Sequence, residues 1–161
     1  MAHMQFNSKR LTLERITQEL ASRILVRNEL PTDRWHTEYP FIDELGPLKH
    51  LARSGAPDSV FTMYLIREDQ SGLAIGGLGF FGPPDQQGCI EFGYGLVEAA
   101  RSKGYATEAV IAALQIARAN GARVAKADTA PSNAPSQRVL EKAGLRLMEK
   151  SDSAYSYKRR L

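Results

Sequence analysis

The order of apolar and polar residues divides the chain into short elements of two kinds. Segments that alternate between apolar and polar residues, or that form short β-rich runs, predict strands, because successive side chains of a strand point to opposite faces. The predicted strands are Lys9–Arg15, Val60–Arg67, Leu73–Phe81, Cys89–Leu96, Val124–Asp128, Leu145–Lys150 and Ala154–Lys158. Apolar residues at helical spacing predict helices at Thr17–Arg27, Ile42–Ala52, Thr107–Ala119 and from Ala130–Pro135 to about Ala143.

The connections between these elements predict a mixed sheet. Glu68–Gly72 joins two strands into an antiparallel hairpin, and the turn Gly82–Gly88 leads to a third strand. A crossover through the following helix then makes Val124–Asp128 parallel to Cys89–Leu96. The order is therefore a meander, a βα crossover, a short helix and a closing hairpin.

Composition limits the class of protein. A length of 161 residues, 43% of them hydrophobic, predicts one globular domain with a full core. The net charge of +3 only mildly favours anionic ligands and does not argue for nucleic acid. No apolar run approaches the ~18 residues of a membrane span and no signal-peptide region is present, so we expect a cytoplasmic protein.

Cysteine and histidine usage limits the chemistry further. The lone Cys89 rules out an internal disulfide, and three histidines with one cysteine have no metal-ligand spacing, so no metal is expected. The start Met1–Met4 is typical of an expression remnant, which leaves residues 5–161 as a single domain.

A short basic turn is the first candidate binding site. Arg101–Ala106 reads Arg-Ser-Lys-Gly-Tyr-Ala and lies between a predicted strand and a predicted helix. The first N–H groups of a helix lack partners and lie at the positive end of its dipole, so such a turn suits a pyrophosphate. Gly104 would let the backbone approach an anion, and Arg101 and Lys103 add positive charge. The alternative is an ordinary turn with solvated basic residues.

A second glycine pattern has the wrong context for a nucleotide. Gly77–Gly82 fits GxGxxG, but it lies inside a predicted strand and Pro83–Pro84 follows it. A dinucleotide fingerprint opens a helix instead. Glycines within a strand indicate bulges or a close approach of other groups to the backbone.

Several segments resemble motifs of the GNAT N-acetyltransferase superfamily. Arg101–Ala106 resembles its (Arg/Gln)-x-x-Gly-x-(Gly/Ala) acetyl-CoA motif, and Glu91–Tyr94 looks like its fourth strand. Asn133–Ser136, together with Glu141–Leu145, looks like its last helix. With Arg10–Leu13 near the start, the resemblance covers nearly the whole chain, and it looks closest to the RimJ/RimL-like branch of ribosomal-protein N-terminal acetyltransferases.

The resemblance implies an α/β (α+β) fold: a mixed, mainly antiparallel central sheet of about six to seven strands with about four flanking helices. Two parallel central strands would splay apart and admit the thioester of acetyl-CoA, the implied acyl donor. Backbone groups would hold its pyrophosphate and pantetheine arm, and Asn133 would hydrogen-bond the arm unless it is a plain helix N-cap. The residues that the resemblance assigns to acetyl-CoA are Phe92, Gly93, Tyr94, Arg101, Ser102, Lys103, Gly104, Tyr105, Ala106 and Asn133.

Glu91 is the candidate catalytic base. Acyl transfer to an amine needs a neutral nucleophile, and strand alternation places Glu91 on the face opposite Phe92, where an acid could point into a cleft. Many members of the family that the chain resembles carry a catalytic glutamate at this position. The alternative is a solvated or salt-bridged strand residue.

The residue that would protonate the leaving thiolate differs from the one common in the superfamily. Many members of the superfamily have a tyrosine seven residues after the asparagine, whereas this chain has Leu140. Ser136 is the candidate donor, because RimJ/RimL-like enzymes place a serine there. The alternative is a helix serine that bonds its own backbone.

These features favour an acetyl-CoA-dependent N-acetyltransferase, an acyltransferase that acts on a primary amine of a protein N-terminus or a small molecule. The acetyl group would move by direct attack in a ternary complex, since Cys89 has no histidine partner. The missing tyrosine at position 140 leaves one alternative, a catalytically silent CoA-binding sensor or interaction module. The final hairpin could support a homodimer, and Asn28–Tyr39 and Lys150–Tyr157 would determine the acceptor.

Overall fold

Eight strands form one sheet in the computed structural model, which describes residues 4–161. The strands are β1 (Gln5–Asn7), β2 (Leu11–Arg15), β3 (Met63–Glu68), β4 (Ala74–Phe80), β5 (Cys89–Leu96), β6 (Val124–Thr129), β7 (Arg146–Lys150) and β8 (Tyr155–Arg160). The helices are α1 (Gln18–Leu25), α2 (Leu45–Ser54), α3 (Tyr105–Ala119) and α4 (Ala134–Lys142). Apart from Met4, the predicted expression remnant lies outside the described residues.

The sheet is mixed and mainly antiparallel. Its order is β1-β2-β3-β4-β5-β6-β8-β7, and among the described strands only β5 and β6 pair in parallel. The predicted fold class is confirmed. The strand count is eight rather than six to seven, because β1 has only three residues and shows no alternation long enough to recognise.

Local chemistry explains where two of the helices begin. The Thr17 hydroxyl accepts a hydrogen bond from the Leu20 backbone N–H at 3.1 Å and caps α1. Asn133 caps α4 in the same way, through Oδ1 and the Ser136 N–H at 3.2 Å. None of the helices in residues 4–161 is long and apolar enough to cross a membrane.

The core is centred on β2 to β5 and on the helices that cover them. The largest fully buried side chains are Tyr39, Tyr64, Tyr157, Phe92, Leu11, Leu13, Ile16, Ile24, Leu48, Leu65, Ile66 and Leu78. Most belong to the strands and helices that the apolar periodicity predicts, and their burial at roughly 1.5–3 kcal/mol for each large side chain drives the fold.

The two faces of β5 are covered by different parts of the chain. On one face, Phe41 lies over Gly95 in the segment that precedes α2. Tyr94 is the neighbour of Gly95 and points to the opposite face, where its hydroxyl meets Ser136 of α4. The segment before α2 and helix α4 therefore lie on opposite faces of β5.

Such an opening exists where β5 and β6 part. The two strands pair only through Cys89–Glu91 and Val124–Lys126. Beyond Glu91, the segment Phe92–Leu96 stays paired with β4, while β6 stays paired with β8 as far as Thr129. The predicted splay of the parallel pair is therefore confirmed.

Candidate active site

Two cavities meet beside the second half of β5. The turn cavity, about 500 Å³, lies between the end of β5, the basic turn before α3, and α4. The glycine cavity, about 790 Å³, lies between α2 and the glycine-rich strands β4 and β5. Phe41, Asp43, Tyr94 and Gly95 line both, so the two cavities join there.

The turn cavity contains the start of α3. Gly104 precedes the helix with φ +80°, a left-handed conformation that glycine adopts without strain, and no side chain caps the helix start. The first N–H groups of α3 therefore remain available to an anion. Five residues of the predicted motif line the cavity: Arg101, Ser102, Gly104, Tyr105 and Ala106.

Arg10, the residue before β2, holds this turn in place. Its Nη1 donates to the carbonyl of Lys103 at 2.9 Å, and its guanidinium lies 4.4 Å from the centre of the Tyr105 ring. Its Nε also pairs with Glu108 at 2.8 Å, and the Ser8 hydroxyl donates to the same carboxylate. Burial alone would raise the pKa of Glu108. These hydrogen bonds lower it by more than burial raises it, so the pKa lies below its ordinary value. Lys103 thus contributes its carbonyl to the scaffold and does not line the cavity.

Helix α4 forms the opposite wall. Asn133 caps the helix with its carbonyl oxygen, as the alternative interpretation predicts, but it also lines the turn cavity, and capping does not use its amide nitrogen. The Ser136 hydroxyl lies 2.8 Å from the Tyr94 hydroxyl. Burial raises the pKa of Tyr94, and the hydrogen bond to Ser136 partly offsets this effect. Leu140 is 0% exposed, so no proton donor stands at that position.

Two basic side chains and one contact of the turn cavity are not predicted from the sequence. Arg138 and Lys142 lie four residues apart, on one face of α4, and both line the cavity. Their spacing is a usable signal, but exposed basic residues on a helix are common. The contact between the hydroxyls of Tyr94 and Ser136 joins residues 42 positions apart, and no local pattern predicts it.

Paired glycines form the floor of the glycine cavity. Gly77 pairs with Gly95, and Gly79 pairs with Gly93, so the four bare positions share one sheet face. A Cβ atom on Gly95 would lie 2.3 Å from Cζ of Phe41. The GxGxxG pattern therefore marks a close approach to a strand, as its context predicts, and not a nucleotide site.

Glu44 stands on this floor and has no counterpart in the sequence predictions. A Cβ atom on Gly77 would lie 1.4 Å from its Oε1, so the carboxyl sits directly above the strand. The residue is only 6% exposed, and neither carboxyl oxygen has a hydrogen-bond partner of good geometry among the described residues. Burial raises its pKa to about 8, against the smaller opposing effect of the nearby Tyr39 hydroxyl. Its sequence position, in a predicted amphipathic helix, carries no such signal.

Glu91 belongs to the last residue pair of β5 and β6 before the two strands part. It shares a strand face with Gly93, but it lines neither cavity, and its side chain is 39% exposed. Its Oε1 lies 3.6 Å from Nζ of Lys126 on β6. This arrangement matches the salt-bridged alternative. Phe92 packs in the core, with its ring stacked 6.3 Å from that of Tyr94.

The site thus combines a parallel strand pair that parts beside an uncapped helix start with a second cavity that opens at the same point. The chain belongs to the GNAT acetyltransferase family, because residues 10–146 match the family's acetyltransferase (GNAT) domain. Among residues 4–161 no group of three or more His, Cys, Asp or Glu side chains is placed to hold a metal ion.

Individual relatives agree with this membership. The uncharacterized N-acetyltransferase YjdG of Bacillus subtilis (strain 168) is 29% identical over 125 residues, which are 76% of this chain and 70% of that protein. The ribosomal-protein-S5-alanine acetyltransferase of Vibrio fischeri matches with a TM-score of 0.66 and 14% identity, over 98% and 96% of the two chains. The microcin C7 self-immunity acetyltransferase MccE, solved with acetyl-CoA and AMP, matches with a TM-score of 0.66 and 13% identity, over 96% and 94%. These solved structures share the fold.

Proposed function

We propose that this protein is an acetyl-CoA-dependent N-acetyltransferase that acetylates a primary amine by direct attack in a ternary complex. One observation carries the proposal: the turn cavity and the glycine cavity are separate but join at Phe41 and Gly95. A donor and an acceptor can therefore be bound at the same time with their reacting groups at the junction. No covalent acetyl-enzyme is needed.

Acetyl-CoA occupies the turn cavity in this proposal. The Arg101 N–H donates to the Glu98 carbonyl, so the remaining N–H groups of Arg101–Ala106 hold the pyrophosphate at the start of α3. Arg138 and Lys142 attract the phosphate groups from the α4 side. Beyond the splay, the backbone of Phe92–Tyr94 has no pairing with β6, so it is free to bond the pantetheine arm. The amide nitrogen of Asn133 donates to the same arm.

Ser136 protonates the departing sulfur. Its hydroxyl lines the turn cavity and is held by the Tyr94 hydroxyl at 2.8 Å. A thiol with a pKa of ~8.5 is a good leaving group and needs only modest help. Loss of this donor therefore slows the reaction without abolishing it.

The acceptor must reach the junction as a neutral amine. An α-amine has a pKa of ~8, whereas a lysine side chain has a pKa of ~10.4, a difference that corresponds to roughly 3.3 kcal/mol. Amines of low pKa, such as a peptide N-terminus or a small-molecule amine, are therefore the favoured acceptors.

Release of free thiol from acetyl-CoA tests the proposal directly. The protein is mixed with acetyl-CoA and a panel of small amines and N-terminal peptides, and thiol is followed by a chromogenic disulfide. We expect amine-dependent release, with an acetylated product of the same amount by mass spectrometry. Release that does not depend on the amine contradicts the proposal.

A silent CoA-binding module is the second candidate, and the burial of Leu140 in the place of a proton donor favours it. Calorimetry separates the two candidates. Tight acetyl-CoA binding without turnover of any amine supports the silent module, whereas binding together with amine-dependent thiol release excludes it.

Three further assignments belong to this proposal: the RimJ/RimL-like branch, a cytoplasmic location and a homodimer. The resemblance of the motifs supports the branch. The edge strand β7 exposes Leu147 and, at 63%, Met148, which supports pairing through the final hairpin. Sedimentation analysis of the wild type and of a Met148→Lys variant tests the dimer, which the added charge should dissociate.

A further inference from the structure

We propose that the glycine cavity binds a primary amine attached to an apolar group, and that Glu44 binds this amine and accepts its proton. The assignment rests on the proposed acetyl transfer and names the acceptor class for that reaction. It also moves the role of base from Glu91, which lines neither cavity, to a residue that stands inside one.

The position of Glu44 suits an acceptor site. Its carboxyl lies directly above Gly77, and the strand partner of Gly77 is Gly95, which lines both cavities. Paired residues of antiparallel strands lie about 4.5–5.5 Å apart. An amine bound to Glu44 therefore lies about one strand spacing from the junction where the thioester is expected.

The carboxyl also lacks the partner that its burial requires. It is only 6% exposed, and the neighbouring Tyr39 hydroxyl, which lowers its pKa slightly, makes no hydrogen bond of good geometry with either carboxyl oxygen. An unpaired buried carboxyl is unfavourable, and an ammonium group supplies both the missing hydrogen bonds and the opposite charge. Its pKa of about 8 is close to the ~8 of an α-amine, so proton transfer between the two groups is nearly balanced.

The surroundings of Glu44 define the rest of the acceptor. Among the described residues that line the cavity there is no Lys or Arg, and the other titratable groups are Asp43, His50 and the Tyr94 hydroxyl. The Tyr39 hydroxyl lies beside the carboxyl, and the positive charge of Arg67 in turn lowers the pKa of Tyr39. The apolar walls are Phe41, Leu51, Phe61, Met63, Phe80 and Phe81. A volume of about 790 Å³ accommodates a small molecule or the first residues of a peptide.

The proton balance of the reaction follows from this arrangement. The ammonium gives one proton to the Glu44 carboxylate, and the neutral nitrogen forms a bond with the acetyl carbonyl carbon. The carbon–sulfur bond then breaks, and its electron pair leaves on sulfur. The nitrogen loses its second proton, which reaches the thiolate through the Ser136 hydroxyl. Glu44 returns its own proton to solvent when the amide leaves.

Glu44→Gln tests the base with little change of shape. We expect kcat/KM for 2-phenylethylamine to fall about 100-fold or more, while the Kd of acetyl-CoA stays within twofold. The wild-type pH profile should rise through a pKa near 8, and this limb should be absent in the variant. Glu44→Asp should restore part of the rate, and Glu149→Gln, the same change at an exposed site on β7, should behave as wild type.

Phe81→Ser tests the apolar group separately. Phe81 lines the cavity but is 62% exposed, so its loss should not unfold the protein. We expect KM for 2-phenylethylamine to rise about tenfold with kcat nearly unchanged, since only ground-state binding is removed. Peptides that begin with Phe or with Glu form the second arm. Preference for the Phe peptide over 2-phenylethylamine identifies a peptide N-terminus as the source of the amine.

Three outcomes overturn the inference. One is a Glu44→Gln variant with the wild-type rate and pH profile, and another is a preference for glutamate or spermidine over 2-phenylethylamine. In both cases acetyl transfer itself stands. If no amine releases thiol, the proposed function fails and calorimetry decides the acceptor site. Binding of 2-phenylethylamine to the CoA complex, lost in Glu44→Gln, supports the site, and equal binding to both proteins is the third contrary result.

Discussion

The two cavities join at Gly95 but offer opposite environments. The turn cavity has Arg138, Lys142 and an uncapped helix start, all of which attract phosphate. The lining of the glycine cavity, as far as the structure describes it, has no Lys or Arg, and its floor carries the buried Glu44. CoA is anionic, so in the proposed function the cations of the turn cavity favour it there, while the glycine cavity offers the amine acceptor a carboxyl group. In this proposal the donor and the acceptor are therefore selected on opposite faces of β5.

Among variants that leave Glu44 itself in place, filling the floor of the glycine cavity should lower activity most. Gly77→Ala places a methyl group where the Glu44 carboxyl lies, and this flexible side chain must swing away. We expect kcat/KM for the amine to fall about 100-fold, because a displacement of about 1 Å in a catalytic group has an effect of this size. Acetyl-CoA affinity should stay unchanged by calorimetry, since the turn cavity is untouched.

Gly79→Ala is the matched control on the same strand face. A Cβ atom there meets Cγ of Met63 at 3.4 Å, an ordinary contact, so the change should lower activity only a few-fold. Equal losses in the two variants would contradict a special position above Gly77.

The next effect concerns stability and pH. The pKa of Glu44 is raised from 4.5 to about 8 in the folded protein, so between these values the folded state holds a proton that the unfolded chain has released. The contribution of Glu44 to the stability of the wild type therefore falls as pH rises through this window, by ~1.4 kcal/mol per pH unit. Glu44→Gln lacks this dependence and should gain ~2 kcal/mol relative to the wild type between about pH 6 and pH 7.5. Urea unfolding of both proteins measures it, and a difference that is constant with pH refutes it.

A smaller effect should appear on the donor side. Replacing Arg138 and Lys142 together by Ala removes two exposed cations from the turn cavity, and we expect the Kd of acetyl-CoA to rise about tenfold at low salt. The loss should shrink in high salt, where the Debye length falls to ~3 Å at about 1 M. Arg146→Ala, an exposed cation on β7, is the control. An equal loss for the control would mean that overall charge, and not the cavity, attracts CoA.

The smallest effect should follow from the proton donor. Ser136→Ala should lower kcat about fivefold, because a thiolate with a pKa of ~8.5 leaves readily without assistance. Acetyl-CoA binding should remain within twofold. A drop of a thousandfold would show that Ser136 does more than protonate sulfur, and steady-state kinetics with saturating amine distinguishes the two results.

Much of the fold is predictable from local patterns, for physical reasons. Alternation identifies Cys89–Leu96 to the residue, because a strand with one buried face repeats every two positions. The parallel pairing with Val124–Thr129 follows from the crossover helix. By contrast, Gln5–Asn7 pairs with β2 at the sheet edge and is too short to show any period.

The two cavities of the candidate site differ in how far the sequence predicts them. One wall of the turn cavity is formed by contiguous residues, so the motif at Arg101–Ala106 predicts that wall, whereas the wall formed by α4 depends on tertiary contacts. The glycine cavity depends on contacts between distant segments, such as Glu44 over Gly77 and Phe41 over Gly95. No local pattern distinguishes Glu44 from any other acid on an amphipathic helix. Strand alternation alone favours Glu91, and the ion pair of Glu91 with Lys126 of β6 is a tertiary contact that the alternation does not predict.

The glycine floor has a consequence for how this protein can diverge. Because β4 and β5 present bare backbone at their paired glycines, much of the shape and charge above this floor comes from other parts of the chain, among them the segment Phe41–Pro47. In the proposed function, substitutions in Phe41–Pro47 would change which acceptor is bound and leave the turn at Arg101–Ala106 and helix α3 as they are. The range of acceptors could then change through substitutions in a short part of the chain, while the proposed acetyl-CoA site keeps its turn and helix start.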